Sequence, residues 1–360
     1  MNRLDPIVRP LLEWYRQNAR DLPWRRTRDP YAIWLSEIMC QQTRVQAAIE
    51  YYLRFLNALP DVASLAAADE ERLLKLWEGL GYYSRARNLQ KAARVMAERY
   101  GGQVPGSYEE LCSLPGIGEY TAGAVASIAF GIPVPCVDGN VLRVITRVTA
   151  DEREIDRGDT KADITRQVAA VIPSDCPGDF NQALMELGAT VCLPNGEPLC
   201  AQCPLAGQCE GRRLGKALSL PRKSPKKERR IERRTILFLI KDGKIALQKR
   251  PESGLLAGMW EFPALEGDAS ADQARAAVQA MGFEVASLRP GPKAKHVFSH
   301  VEWHMQSMEM ELDGDNRTDG GFVWADHGQL LHEIALPSAF RAYKKQAVSI
   351  LTGLDREDLH

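Results

Sequence analysis

Four of the chain's eight cysteines fall in one run, "CLPNGEPLCAQCPLAGQC", from Cys192 to Cys209. Their spacing, Cys192-x7-Cys200-x2-Cys203-x5-Cys209, gives one close pair with a single cysteine on either side. In a reducing compartment such a cluster implies metal before disulfides. Structural zinc usually takes two close pairs. A cubane iron–sulfur cluster takes one thiolate per iron and suits a single compact loop. Either way, four protein ligands leave no open position for substrate, so the loop reads as a shaped surface and not as the seat of chemistry. Cys40, Cys112, Cys136 and Cys176 are scattered and read as small buried apolar residues. The start, "MNRLDPIVRPLLEWYRQNAR", is charged throughout and does not read as a secretory signal. No apolar run approaches the roughly 18 residues of a membrane span. A cytoplasmic protein is expected.

The 360 residues point to two domains. Residues 1–215 read as mostly helical: apolar positions recur at three and four residues from Tyr31 to Leu56, and again in "DEERLLKLWEGL" and "SRARNLQKAARVMAERY". "GLGYY" supplies a turn between the last two. Residues 216–234 read as a basic linker, since Pro221 to Arg234 holds eight Lys/Arg against two Glu. From 235 to 360 the pattern is α+β. "TILFLIKDGKIALQKR" reads as two strands joined at Asp242-Gly243, "ADQARAAVQAMGF" as a helix and "HVFSHVEWHMQSMEMEL" as a strand. The net charge is −1, so any surface for nucleic acid must be a local patch.

Two features carry chemistry. In "LPGIGEYTAG", Gly116 and Gly118 allow a sharp backbone turn, and a helix starting after them aims free N–H groups at a phosphate. Glu37 lies among Trp34, Leu35, Ile38 and Met39, where burial would raise its pKa and keep it protonated near neutrality. Asp138 follows Pro133 and Pro135 and precedes "VLRVITRV"; it reads as a helix N-cap that stays ionised. A protonated acid and an ionised one are the pair needed to cleave a bond to a sugar carbon.

"LPWR", "WLSEIMCQQTRV", "GLGYYSRARNL", "LPGIGEYTAG", "VDGNVLRV" and "NQALMELGA" occur in the order found in the MutY-type adenine DNA glycosylases of the helix-hairpin-helix superfamily, which the chain resembles over most of residues 20–210. The resemblance implies a six-helix module at about 30–135 and a cluster module of residues 1–29 and 136–215. It implies a [4Fe–4S] cluster on Cys192, Cys200, Cys203 and Cys209, although the family most often has six residues between the first two ligands. It implies that Glu37 protonates adenine, that Asp138 stabilises the cationic sugar and that Asn140 assists. Bifunctional relatives carry a Schiff-base lysine where this chain has Tyr120, so a monofunctional enzyme is implied. Trp24, Arg25 and Gln182 match adenine-pocket positions; Gln42, Thr43, Leu80, Tyr82, Gly116 and Gly118 match DNA-contacting ones. Cys40 replaces the leucine common in that wall.

The C-terminal half resembles the MutT-like (Nudix-fold) domain of the same enzymes, with "GLLAGMWEFP" before its signature helix. The acidic positions that would hold magnesium are Ala276, Gln279 and Ala280, so it reads as a binding module. Phe298, Ser299 and His300 match a loop that inspects 8-oxoguanine. The implied partner is duplex DNA carrying A:8-oxoguanine or A:G pairs, bound by a nucleoid-associated monomer. Rival readings are an endonuclease III-like enzyme for oxidised pyrimidines, a silent DNA-binding protein and a Nudix hydrolase.

Overall fold

The helical period of the first part resolves, in the computed structural model, into short helices. The structure describes residues 2–225, 228–313 and 321–353. Lys226 and Lys227 of the linker, and residues 314–320 and 354–360 of the C-terminal half, lie outside the described residues. The helices are α1 (Asp5–Asn18), α2 (Pro30–Cys40), α3 (Val45–Ala58), α4 (Val62–Ala67), α5 (Glu70–Leu76), α6 (Ser84–Arg99), α7 (Tyr108–Ser113), α8 (Glu119–Ala129), α9 (Gly139–Thr149), α10 (Gly158–Ala169), α11 (Pro177–Thr190) and α12 (Glu210–Arg213).

The helical period runs from Tyr31 to Leu56; the structure breaks it at residues 41–44. Arg85 explains the break. Its Nη1 donates to the carbonyls of Ile38 at 2.6 Å and Gln41 at 2.6 Å, capping the last turn of α2 with a cation. Gln42 comes next in left-handed backbone, at φ 58°.

Contacts divide the chain into Met1–Ala68 with Ser84–Pro225, and Asp69–Tyr83 with Lys226–His360. In the helical unit, Leu4, Ile7 and Leu11 of α1 share a core with Val141 and Ile145 of α9 and Phe180, Leu184 and Leu187 of α11. α1 is thus joined to α9 and α11 by packing across a long sequence gap. Gly188 lets α11 meet the start of α9, because a Cβ there would stand 2.6 Å from Asn140 Cβ.

The other unit is built on β1 (Arg230–Lys241), β2 (Lys244–Lys249), β3 (Trp260–Glu261), β4 (Ala264–Glu266), α13 (Ala271–Ala280), β5 (Val285–Pro290), β6 (Ala294–Val297), β7 (Val301–Leu312), β8 (Val323–Ala325), α14 (His327–His332) and α15 (Arg341–Thr352). Residues 230–234, read in the sequence as the end of the linker, open β1. Asp242 and Gly243 both take positive φ, the turn their sequence predicts. The sheet order is β3-β2-β1-β7-β5, with β1 parallel to β7. Residues 235–240 of β1 are buried on both faces. Ile236 and Phe238 pack with Phe340 and Tyr343, and Leu237 and Leu239 pack with Ala274 and Val278 of α13. The strand expected across residues 296–312 is interrupted by a turn at 298–300, closed by Phe298 N–H donating to Val301 O at 2.8 Å.

Candidate active site

α2 starts on Asp29, whose carboxylate accepts from the N–H groups of Tyr31 and Ala32. It is apolar nearly all round, and Glu37 is the residue that breaks the pattern. Its carboxyl reaches a cleft of about 810 Å³ within the helical unit. Tyr120 Oη donates to Glu37 Oε2 at 2.7 Å and lies 3.3 Å from Met185 Sδ. Burial, reinforced by the charge of Asp138, lifts Glu37 to about 7, against the Tyr120 hydrogen bond and Arg25. Tyr120 itself is pushed well above the usual phenol range, first by burial and then by Glu37, so it remains a donor.

Asp138 caps α9: Oδ1 accepts from Val141 N–H at 2.8 Å and Oδ2 from Asn140 Nδ2 at 2.7 Å. The sequence predicts a capping Asp that these bonds keep readily ionised. The structure adds an opposing effect: burial raises its pKa, and the bonds from Val141 and Asn140 work against that rise. Of the two carboxyls, Glu37 carries the large shift, so the contrast between them survives. The chain of bonds runs further into the unit. Asn140 Oδ1 accepts from Arg143 Nη2 at 2.8 Å, and Arg143 Nε donates to Cys192 O at 2.8 Å.

Trp24, Arg25, Gln182, Gln42 and Thr43 line the same cleft as Glu37, Tyr120, Asp138 and Asn140. Trp24 is buried edge-on against Tyr52, and Arg25 is fixed by a group that sequence reasoning missed. Glu186 is fully buried. It accepts from Arg20 Nε at 2.7 Å, Arg20 Nη2 at 2.8 Å and Arg25 Nη2 at 2.8 Å. Burial alone would raise its carboxyl; the two arginines outweigh burial and hold it at about 2. The one signal available was a charge in the otherwise apolar "ALMELGA".

Gly116, at φ 74°, lies outside the cleft in the turn before α8. Gly118 forms the N-cap of α8 and has no side chain to offer the helix's free N–H groups. Leu80 and Tyr82 belong to the other unit. Leu80 is buried, whereas Tyr82 is 49% exposed at φ 48°, and its hydroxyl meets Ser299 Oγ at 3.3 Å. Phe298 packs edge-on against Trp303 at 4.9 Å, leaving Ser299 and His300 exposed at the tip of the turn.

Cys192, Cys200, Cys203 and Cys209 line a second cavity in the helical unit. Among the described residues, no three His, Cys, Asp or Glu side chains close on a point as ligands of one ion do. Burial first, and then the other three cysteines, push Cys203 to about 11. Soft sulfur donors around a cavity fit an iron–sulfur group, which would take them as thiolates. Arg147 adds a donor, Nη1 to Cys192 Sγ at 3.2 Å.

Residues 35–170 match the family described as HhH-GPD superfamily base excision DNA repair protein, and residues 235–346 match the NUDIX domain. A thermostable thymine-DNA glycosylase structure aligns with a TM-score of 0.53 at 29% identity, over 59% of this chain and 97% of its own. An endonuclease III–DNA complex aligns at 0.51 and 23% identity, over 59% of this chain and 96% of its own, and shares the fold. Fold and site together define a DNA glycosylase, a hydrolase of N-glycosyl bonds, with a Nudix-fold domain appended. Adenine DNA glycosylase from Homo sapiens is 36% identical, over 97% of this chain and 76% of that protein. The enzyme of the same name from Buchnera aphidicola subsp. Baizongia pistaciae is 36% identical, over 70% and 72%. The chain belongs to the adenine DNA glycosylase family. No helix among the described residues is long and apolar enough to cross a membrane.

Proposed function

We propose that this enzyme removes adenine paired with 8-oxoguanine, or with guanine, from duplex DNA at the bacterial nucleoid, as a monofunctional glycosylase. The observation that carries the reading is the Glu37 carboxyl, poised at about 7 in a cleft that also holds Asp138. The target nucleotide leaves the stack and enters that cleft. Trp24, Arg25 and Gln182 bound the base, and Glu186 fixes Arg25. Glu37 gives its proton to adenine N7. The C1′–N9 bond then breaks, its electron pair going to the base and positive charge to the sugar. Asp138 offsets that charge, held by Asn140 and the start of α9. Water deprotonated by the Glu37 carboxylate adds to C1′, leaving an abasic site and restoring the acid. Tyr120 orients Glu37 and has no amine with which to form a Schiff base.

Duplex DNA is gripped at the Gly116–Gly118 turn, where the free N–H groups at the start of α8 suit a phosphate. Gln42 and Tyr82 serve as wedges; their left-handed backbones support this, because strain concentrates at working positions. Phe298, Ser299 and His300 read the base opposite the adenine. Cys192, Cys200, Cys203 and Cys209 would hold a [4Fe–4S] cluster, which would order the loop that carries them.

A duplex with one A:8-oxoguanine pair tests the reading. Glu37→Gln should bind it within about threefold of wild type, while base release falls by about 10³-fold, as loss of a general acid requires. Release by that variant near the wild-type rate would overturn the assignment. Borohydride should trap no covalent adduct.

A further inference from the structure

The segment Asp69–Tyr83 lies within the helical part of the sequence, yet its contacts are those of the unit formed with Lys226–His360. Two glutamates hold it there. Glu71 pairs with Lys249 at 2.6 Å and accepts from Trp260 Nε1 at 2.9 Å, but both ions are more than a third exposed. Glu78 is better buried and better bonded. Its Oε1 accepts from Leu336 N–H at 3.1 Å and Lys344 Nζ at 2.6 Å, and its Oε2 pairs with Lys75 at 2.8 Å. Lys75 also donates to Ile334 O at 3.0 Å. All three side chains are about a fifth exposed or less, so water screens them poorly.

Directly after Glu78 the chain makes a tight turn. Gly79, Gly81 and Tyr82 take positive φ, and the buried Trp77 donates its indole N–H to Gly81 O at 3.1 Å. The turn is thus pinned one residue before it begins and again within it. At its far end stands Tyr82, meeting Ser299 at 3.3 Å. Ser299 sits on an exposed turn, so the distance between the two hydroxyls depends on where Tyr82's own segment is held.

We infer that Glu78 is a specificity-determining positioning residue: by anchoring the turn that carries Tyr82 to the domain that carries Ser299, it sets the preference for an 8-oxo purine over an ordinary one opposite adenine. The inference rests on the function proposed above and assigns Glu78 no part in base release itself.

The full-length enzyme is assayed on two duplexes, with adenine opposite 8-oxoguanine or opposite guanine. In Glu78→Ala the ratio of their kcat/KM values should fall about tenfold, while the single-turnover rate on A:G stays within about twofold of wild type. Glu78→Gln, which keeps an acceptor for Leu336 but loses the charge, should fall between. Lys344→Ala should lower the ratio by about threefold, and the double variant Glu78→Ala/Lys344→Ala should be no worse than Glu78→Ala. Glu71→Ala should leave the ratio unchanged. If Glu78→Ala does not fold by circular dichroism, Lys344→Ala decides. A folded variant with the wild-type ratio, or one slowed equally on both duplexes, would overturn the inference alone. Wild-type enzyme releasing adenine from neither duplex would overturn the proposed function and this inference with it.

Discussion

In the proposed mechanism Glu37 decides the pH behaviour of the enzyme. Burial and then Asp138 raise its carboxyl from 4.5 to about 7. The proposed release needs Glu37 protonated and Asp138 ionised, so the single-turnover rate should fall about tenfold per unit above about pH 7 and fall again in acid as Asp138 takes up a proton. Stability carries the same sign. A group raised in the native state contributes fully below its unfolded pKa of 4.5, and that contribution is lost as pH climbs to about 7. The loss is at most ~3 kcal/mol, and less where cleft water screens the carboxylate. Glu37→Gln should therefore melt with wild type at pH 4.5 and a few degrees above it at pH 8. Equal melting temperatures at both pH values would contradict a desolvated carboxyl at this position. Glu37 was legible in the sequence because a carboxylate inside an apolar helix is anomalous on its face. The Asp138 cap was legible too, but not the depth at which it is buried. Glu186 was not, since its partner Arg20 is 166 positions away.

Helix ends do most of the positioning. α9 begins on Asp138, and its next turns send Arg143 and Arg147 to Cys192, so one helix links the carboxylate to the cysteine loop. Arg143→Ala would free Asn140 Oδ1 and leave the carbonyls of Gly188 and Cys192 without this donor. Base release should fall about tenfold or more, together with the iron content of the purified protein. Full activity with undiminished iron would show that the linkage is idle. The turn before α8 makes a separate demand. Gly116 sits at φ 74°, and a Cβ there would lie 2.6 Å from Asn88 Cβ, so Gly116→Ala should cost about 2 kcal/mol and weaken DNA binding. Once the variant is saturated with DNA, its release rate should match wild type. The Gly-x-Gly pattern announced this turn. The break between α2 and α3 was hidden, because residues 41–44 contain neither glycine nor proline and the terminating cap comes from Arg85.

Across the whole molecule, the groups proposed for bond breaking and those proposed for reading the opposite base belong to different units. Sequence pattern separated the helical half from the α+β half, because their hydrophobic periods differ. It could not show that Asp69–Tyr83 packs with the second unit, since a helical segment looks the same whichever core it joins. The division makes a kinetic prediction: changes in one unit should alter discrimination without altering chemistry. Ser299 tests it most cleanly. Its hydroxyl is exposed, can accept from the N7–H of 8-oxoguanine or donate to its O8, and supports no core. One neutral hydrogen bond is worth about 0.5–1.5 kcal/mol, a factor of roughly two to ten. Ser299→Ala should lower the preference for A:8-oxoguanine over A:G by that factor. The saturating rate on A:G and the melting temperature should hold. Phe298→Ala removes a ring packed on Trp303, so it should lose stability as well as preference. An equal loss of rate on both duplexes in Ser299→Ala would mean that the turn at 298–300 contributes general affinity, and the reading of the opposite base would have to lie elsewhere.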